Sequence, residues 1–246
     1  MTAWDPDRLA RVCAVLPALD EADALPAALA GRPPGLRVLV VDNGSTDGTA
    51  EVAAALGAEV VREPRRGFGA ACWRGALAAD GAEVLAFLDA DGTLDWDDLP
   101  AITGPVLDGR ADLVLGRRRA DLRTPGAMPA HVAAANAVLA HLCGVLAGVH
   151  IGDVGPYRAV RRDALLDLGL RDRTYGWPLE MVLRAGRAGW RVAEVPVRYR
   201  VRVGTSKVTG RPWPTVRATV RMARVLLRHA AIGAAGRGRR AGGVRP

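Results

Sequence analysis

Short apolar runs alternate with segments of helical length along the first half of the chain. The runs at 36–41 and 83–88 are almost continuously apolar, which is typical of strands buried on both faces of a sheet. Gly and Pro residues separate the segments between them. The pattern predicts an α/β fold with a mostly parallel sheet covered by helices. Strands are predicted at 12–19, 36–41, 59–62, 83–88 and 111–115, and helices at 22–30, 47–56, 69–79 and 96–107.

The second half is less regular. It predicts helices at 129–146, 178–188 and 212–232 and strands at 154–160 and 192–199. We therefore divide the chain into a domain at 1–211, an amphipathic helix at 212–232 and a low-complexity basic tail at 233–246, which we expect to be disordered. In the helix an apolar stripe lies opposite four arginines, so it could rest on an anionic membrane or pack on the domain. These arginines are Arg217, Arg221, Arg224 and Arg228.

Carboxylates follow three of the predicted strands directly. Asp20 and Glu21 follow the first strand, Asp42 the second and Asp89 the fourth. In parallel α/β sheets the ligand site lies beyond the carboxyl ends of the strands. We therefore expect these acidic side chains to meet at one edge of the sheet.

The pair Asp89 and Asp91 is the first candidate for chemistry. Residues two apart in an extended segment point the same way, so both carboxylates can reach one cation. Hard oxygen ligands suit Mg²⁺ or Mn²⁺, which would neutralise charge on a departing diphosphate. The alternative is an acidic turn that caps the next helix, aided by Asp95.

The segment VVDNGSTDGT at 40–49 is the second candidate. Its strand delivers Asp42 to the sheet edge, where a carboxylate can accept hydrogen bonds from a ribose or a base N–H. Gly44 permits a tight turn, and Ser45 or Thr46 can cap the following helix. Ordinary strand-turn-helix chemistry explains the turn residues but leaves Asp42 unexplained.

Charge and composition narrow the classes of partner. The net charge is +8, and Lys207 is the only lysine, so arginine carries the positive charge. This balance favours anionic partners. Aromatic residues make up 4% and no recognition motif is present, which argues against nucleic acid. We find neither a signal peptide nor an apolar stretch of about 18 residues, and so expect no membrane span and a cytoplasmic location. Peripheral contact with the inner face of the plasma membrane would follow if the last helix lies on lipid.

Four motifs in order resemble family-2 glycosyltransferases, over roughly 11–210. They are PALDE at 17–21, VVDNGSTDGT at 40–49, RRGFGA at 65–70 and FLDADG at 87–92. The resemblance is strongest to the polyprenyl- or dolichyl-phosphate sugar synthases. It implies the three-layer nucleotide-diphospho-sugar transferase (GT-A) fold, with a mostly parallel central sheet. It also implies an inverting, metal-dependent transfer of a hexose from a nucleotide-diphosphate sugar to a polyprenyl phosphate or related acceptor.

The same resemblance implies roles for individual residues. Asp89 and Asp91 would hold Mg²⁺ or Mn²⁺, and Arg118 would bind the diphosphate. Glu180 would lie on the acceptor side and could act as a base if the acceptor is a hydroxyl. The donor nucleotide would contact Pro17, Leu19, Glu21, Asp42 and Gly69. The acceptor would contact Asp153, Tyr157, Arg158 and Trp177, and a phosphate-binding loop would contain Arg202, Ser206 and Lys207.

Two departures and two alternatives accompany the resemblance. Asn43 stands where relatives usually carry a second Asp, and Thr93 stands where they often carry Leu, which puts a third metal ligand in doubt. A sugar-1-phosphate nucleotidyltransferase would need a Gly-rich basic loop where this chain has PALDE at 17–21. A non-catalytic basic anion-binding protein is the other alternative. The sequence does not predict the oligomeric state, the donor sugar or its base.

Overall fold

Seven strands form one sheet in a computed structural model that describes residues 5–204 and 220–230. Their spatial order is β3-β2-β1-β4-β6-β5-β7. All neighbouring pairs are parallel except the two that involve β6. The predicted mostly parallel sheet is therefore confirmed. The strands are β1 Val12–Ala18, β2 Arg37–Asp42, β3 Glu59–Arg62, β4 Val84–Phe87, β5 Leu113–Arg123, β6 Arg158–Arg161 and β7 Val192–Tyr199.

Helices cover both faces of the sheet. They are α1 Pro6–Ala10, α2 Leu25–Leu29, α3 Thr49–Ala55, α4 Phe68–Ala78, α5 Leu99–Leu107, α6 Ala130–Ala147, α7 Arg162–Asp167, α8 Trp177–Arg187 and α9 at 220–230, with a 3₁₀ turn at Trp96–Asp98. Successive residues of a strand point to opposite faces, so each central strand feeds two cores. In β1, for example, Ala14 and Leu16 belong to one buried cluster, and Cys13 and Val15 belong to the other.

Some predicted boundaries differ from the structure. Strand β5 runs to Arg123 although its apolar run ends at Leu115, because its second half pairs with β7 and is largely exposed. The strand predicted at 154–160 begins at Arg158. Helix α2 is much shorter than the predicted 22–30, and the short helices α1 and α7 were missed. Local apolar periodicity carries little information about such short or exposed elements.

The loops after β1 and β2 are joined by side chains at 45–47, which include the predicted cap Ser45. The residue before α3 is Gly48, with φ +85°, and it supplies no side chain. The Asp47 carboxylate instead accepts the N–H groups of Thr49 and Ala22, each at 3.0 Å. The Ser45 hydroxyl accepts the N–H of Asp20 at 2.9 Å. These residues therefore hold two loops together at the carboxyl edge of the sheet.

Helix α6 corrects the expectation that no long apolar stretch exists. Its 18 residues contain no Asp, Glu, Lys or Arg, and among the described residues it is a helix long and apolar enough to cross a membrane, by length and composition. Only 22% of it is buried. It packs on α8, where the Cα of Gly186 approaches the backbone of Ala147 so closely that a Cβ would clash with the Ala147 carbonyl oxygen. Three apolar side chains on another face, Val138, Leu142 and Val145, are exposed.

The described part of the C-terminal helix, α9, packs on the domain. Val225 is buried against Gly176, and Arg187 donates a hydrogen bond to the carbonyl of His229. Leu227 is exposed on the opposite side. The remainder of the predicted helix at 212–232 and the predicted disordered tail at 233–246 lie outside the described residues.

Candidate active site

A cavity of about 660 Å³ opens at the carboxyl ends of β1, β2 and β4. Its wall contains the carboxylates of Glu21, Asp89 and Asp91. Polar or basic residues in the wall also include Asn43, Arg66, Tyr175, Arg202 and Arg221. The apolar residues of the wall include Pro17, Leu19, Val154, Pro156, Pro178 and Met222.

Asp89 and Asp91 lie together in this cavity, as the sequence predicts. The Asp91 carboxylate accepts the backbone N–H of Thr93 at 3.1 Å and its hydroxyl at 2.6 Å, which fixes its direction. Burial and the neighbouring carboxylate of Asp91 raise the pKa of Asp89 to about 7. Two carboxylates that repel each other in a partly enclosed site favour a cation between them.

The residues present fit a divalent cation that also binds a substrate. Both side chains offer hard oxygen ligands, which Mg²⁺ and Mn²⁺ prefer. Within residues 5–204 and 220–230, no group of three or more His, Cys, Asp or Glu side chains could hold a metal ion. Two protein carboxylates leave coordination positions for diphosphate oxygens, so the site suits a cation that arrives with its substrate.

Arg202 reaches the cavity from the segment after β7. Its guanidinium pairs with Asp91 at 3.1 Å and with Glu21. Two backbone hydrogen bonds hold this segment, from Arg200 N–H to the Thr93 carbonyl at 2.8 Å and from Val203 N–H to the Asp91 carbonyl at 3.1 Å. A metal bound at Asp91 would therefore have to compete with the guanidinium of Arg202.

Replacing Arg202 by glutamine should tighten the binding of Mn²⁺ alone by about fivefold, because one competing ion pair is lost. The same change should weaken the binding of a nucleoside diphosphate in the presence of Mn²⁺. Electron paramagnetic resonance of free Mn²⁺ and calorimetry measure the two affinities. Arg200→Gln is the matched control, since Arg200 pairs with Asp95 outside the cavity. Unchanged or weaker Mn²⁺ binding in Arg202→Gln would show that Arg202 does not compete with the metal.

Three of the five residues predicted to bind the donor nucleotide line the cavity, namely Pro17, Leu19 and Glu21. Asp42 does not line it. Side chains alternate along β2, so Asp42 lies on the same face as Val40, and Val41 lies on the other face. Its carboxylate accepts the Ser45 N–H at 2.9 Å and lines a second, separate cavity. Gly69 is buried in α4, where an added Cβ would lie 2.7 Å from the Asp172 carbonyl oxygen. The structure thus gives Gly69 a packing role.

Asn43, noted above only as a departure from the family's motif, lines the cavity where Asp42 was expected. Its amide nitrogen donates to the carbonyls of Glu63 and Arg65 at 3.0 and 2.8 Å. Its amide oxygen accepts the N–H of Gly67 at 2.7 Å. Asn43 thereby fixes the 63–67 segment, which brings Arg66 to the cavity. A carboxylate could not donate to these two carbonyls, which explains an amide at this position.

Replacing Asn43 by aspartate should destabilise the protein by roughly 1–3 kcal/mol, although the two side chains have the same shape. The change turns two donated hydrogen bonds into repulsion between a carboxylate and two carbonyl oxygens. Chemical denaturation measures the free energy of unfolding. Asn136→Asp is a useful comparison, since the Asn136 amide donates at 2.9 Å to the carboxylate of Asp153. An Asn43→Asp protein of wild-type stability would rule out the two donated hydrogen bonds.

Arg118 is near Asp89 but is committed to another carboxylate. Its guanidinium donates to both oxygens of Asp153, at 2.9 and 2.7 Å, and its backbone N–H donates to the same carboxylate at 2.8 Å. It also lies 5.1 Å from the ring centre of Tyr199. Neither Arg118 nor Asp153 is part of the cavity wall. The structure therefore makes Asp153 the partner of Arg118.

The other residues predicted on the acceptor side lie behind the cavity wall. Tyr157 is fully buried in the core on the opposite face of the sheet. Trp177 is fully buried and packs edge-on against Phe87, with ring centres 5.0 Å apart. Arg158 donates to the carbonyls of Gly155 and Pro178, and burial lowers its pKa to about 10. Their contribution is to support the residues that line the cavity.

Glu180 holds a loop instead of facing the cavity. Its carboxylate accepts the N–H groups of Arg171 and Asp172, at 2.9 and 2.7 Å, and pairs with Arg184 at 2.8 Å. A general base must reach the reacting hydroxyl. Glu180 is not among the residues that line the cavity. Ser206 and Lys207 lie outside the described residues.

Three residues that line the cavity were not assigned a role from the sequence. Arg66 was quoted only as part of a motif, and Tyr175 only as a neighbour of Glu180. Arg221 was placed among the arginines opposite the apolar stripe of the last helix. For Arg66 and Tyr175 the sequence offered one signal, a basic or aromatic side chain beside a motif. For Arg221 the sequence offered none, because its place in the cavity depends on how the last helix packs on the domain.

Comparison with curated proteins identifies several relatives. An uncharacterized glycosyltransferase of Mycobacterium tuberculosis is 48% identical over 202 residues, which cover 81% of this chain and 90% of the relative. The undecaprenyl-phosphate mannosyltransferase of Micrococcus luteus is 32% identical over 221 residues, which cover 81% and 88%. The polyprenol monophosphomannose synthase of Mycolicibacterium smegmatis is 32% identical over 218 residues, which cover 81% and 82%.

Solved structures agree with this relationship. The glucosyl-3-phosphoglycerate synthase of Mycobacterium tuberculosis in complex with Mn²⁺ and UDP-glucose is 26% identical, with a TM-score of 0.70 over 93% of this chain and 84% of that one. These structures have the GT-A fold, so the predicted fold class is confirmed. The sequence model of the family described as "Glycosyl transferase family 2" matches residues 13–169. This chain therefore belongs to glycosyltransferase family 2.

Proposed function

We propose that this enzyme transfers a hexose from a nucleotide-diphosphate sugar to the phosphate of a polyprenyl phosphate, with inversion at the anomeric carbon and with Mg²⁺ or Mn²⁺. The observation that carries this proposal is the mixed wall of the cavity. Three carboxylates and three arginines line it together with apolar residues such as Pro156, Pro178 and Met222. The carboxylates and arginines suit a metal-bound diphosphate, and an arginine beside apolar residues suits a phosphate on an apolar chain.

The donor side follows from the charged side chains of the cavity. Asp89 and Asp91 would hold the cation, which would neutralise the charge on the departing diphosphate. Arg66 and Arg202 line the same cavity and can pair with phosphate oxygens. Glu21 and Pro17 form the wall towards β1, where the nucleoside would lie. A related structure holds Mn²⁺ together with UDP-glucose, which supports the same class of donor here.

The acceptor side follows from the bases that the cavity contains. Among the described residues of its wall, Glu21, Asp89 and Asp91 are the carboxylates, and no His is present. A hydroxyl acceptor would need a base, whereas the oxygen of a phosphate is already anionic. Relatives named for polyprenyl phosphates are consistent with such an acceptor.

Contact with a membrane would follow from a lipid acceptor. Val138, Leu142 and Val145 are four and three residues apart and form one exposed stripe on α6. Such a stripe can rest at the surface of a bilayer. We therefore place the enzyme in the cytoplasm, in peripheral contact with the inner face of the plasma membrane through α6.

The two alternatives are less well supported. A nucleotidyltransferase would need a Gly-rich basic loop after β1, where this chain has Pro17, Leu19 and Glu21 in the cavity wall. A non-catalytic anion-binding protein would not need two carboxylates beneath the arginines.

The test is a turnover assay with UDP-, GDP- and dTDP-sugars, Mn²⁺ or Mg²⁺, and geranyl phosphate as a water-soluble acceptor. We expect one sugar to be transferred to geranyl phosphate, with release of the nucleoside diphosphate. We expect no transfer when the metal is chelated. Geraniol and phosphoglyceric acid are the control acceptors. Transfer to either of them in preference to geranyl phosphate would contradict the polyprenyl phosphate acceptor, and no transfer from any donor would contradict the function as a whole.

A further inference from the structure

Helix α9 places one arginine over the cavity. Arg221 and Met222 are the residues of this helix that line it. Val225 follows Arg221 by four residues and is buried, so Arg221 lies one turn earlier on the same side of the helix. His229 is buried one further turn along, and Arg187 binds its carbonyl. The packing of the helix therefore fixes the side on which Arg221 lies.

Arg221 differs from the other arginines around the site. Arg202 is paired with Glu21 and Asp91, and Arg118 is paired with Asp153. For Arg221 no ion pair or hydrogen bond is found within residues 5–204 and 220–230. The residues that line the same cavity include the apolar Met222 and Pro178. An exposed arginine is ordinarily only solvated, but this one lines a cavity whose wall also contains apolar residues and carboxylates.

We infer that Arg221 binds the acceptor through its phosphate and that α9 is part of the acceptor site; this inference rests on the proposed function. In the transfer, an oxygen of the acceptor phosphate forms a bond to the anomeric carbon. The bond from that carbon to the diphosphate breaks, and its electron pair leaves with the nucleoside diphosphate, so no proton needs to be removed. Arg221 holds the oxygens that do not attack, for which a guanidinium offers two parallel donors. The apolar wall receives the chain attached to the phosphate.

The test compares Arg221→Gln with Arg224→Gln. Arg224 is on the same helix, is exposed and does not line the cavity, so the two variants lose the same charge. Calorimetry measures the binding of geranyl phosphate in the presence of Mn²⁺ and UDP or GDP. We expect Arg221→Gln to weaken this binding about ten- to thirtyfold, the effect of losing a charge-assisted hydrogen bond. Arg224→Gln should change it by less than about twofold.

Binding of the nucleoside diphosphate with Mn²⁺ should be the same in both variants and in the wild type. A loss of that binding in Arg221→Gln would assign Arg221 to the donor and overturn the inference. The inference would also be overturned if both variants bound geranyl phosphate equally more weakly than the wild type. It would likewise be overturned if the wild type bound geraniol as tightly as geranyl phosphate.

Phosphoglyceric acid distinguishes the two sources of an acceptor phosphate. If it binds better than geranyl phosphate and depends on Arg221, the role of Arg221 stands while the polyprenyl acceptor fails. These binding measurements need no turnover. The function can therefore fail in the transfer assay while the role of Arg221 is decided independently.

Discussion

Replacing Asp89 by asparagine should abolish sugar transfer and yet leave the metal-free protein more stable than the wild type. The activity should fall at least about a hundredfold in kcat/KM, because on the proposed function the variant loses a ligand of the metal that would stabilise the leaving diphosphate. Stability should rise because burial and Asp91 raise the pKa of Asp89 to about 7. Ionising this side chain in the folded protein is therefore unfavourable.

The size of this gain in stability depends on pH. Since the folded pKa of Asp89 is above that of the unfolded chain, the carboxylate destabilises the fold increasingly as pH rises from about 4 to 7. The gain from Asp89→Asn should be about 1–4 kcal/mol at pH 8 and should disappear towards pH 4. Denaturant unfolding at several pH values without metal measures it.

Asp97→Asn is the control for this variant, because Asp97 is exposed and pairs with Arg198 away from the cavity. It should alter neither activity nor the pH dependence of stability. A fully active Asp89→Asn enzyme would refute the metal-binding role. A variant less stable than the wild type at pH 8 would refute the unfavourable burial of the Asp89 carboxylate.

The strand positions could be predicted because β1, β2 and β4 are buried on both faces and consist almost entirely of apolar residues. The carboxyl ends of these strands then located Glu21, Asp89 and Asp91, and the structure brings all three into one cavity. What the pattern did not decide is the face to which each strand-end residue turns. A shift of one residue separates Asp42 from Asn43, and only the register of β2 in the sheet places Asn43 in the cavity.

The sequence also did not predict which motif residues pack behind the cavity wall. Glu180, Arg158 and Gly69 stand in segments that match the family, yet each contacts backbone groups outside its own motif. A motif does not distinguish a side chain that touches the substrate from one that holds such a side chain in place. The docking of α9 likewise depends on Val225 meeting Gly176, a contact between distant segments.

Replacing Asp153 by alanine should destabilise the protein by about 3–5 kcal/mol, because it leaves the guanidinium of Arg118 buried without its partner. The side chains of Asp153 and Arg118 are only 2% and 12% exposed. Burial by itself raises the pKa of Asp153, but the hydrogen bonds and charge of Arg118 outweigh it, so the pKa lies below its usual value. The pair should therefore stabilise the fold above about pH 4 and lose this effect as pH falls through the lowered pKa.

Asp112→Ala is the matched comparison, because Asp112 also makes a two-pronged ion pair, with Arg191, but at the surface. We expect this control to cost less than about 1 kcal/mol, since water replaces the lost partner. Urea unfolding of both variants at pH 7 and pH 3 measures the difference. Equal losses for the two pairs would show that the Arg118 site is open to water. In that case Arg118 would be available to a substrate phosphate, and the role first predicted for it would regain support over the structural role that its pairing with Asp153 indicates.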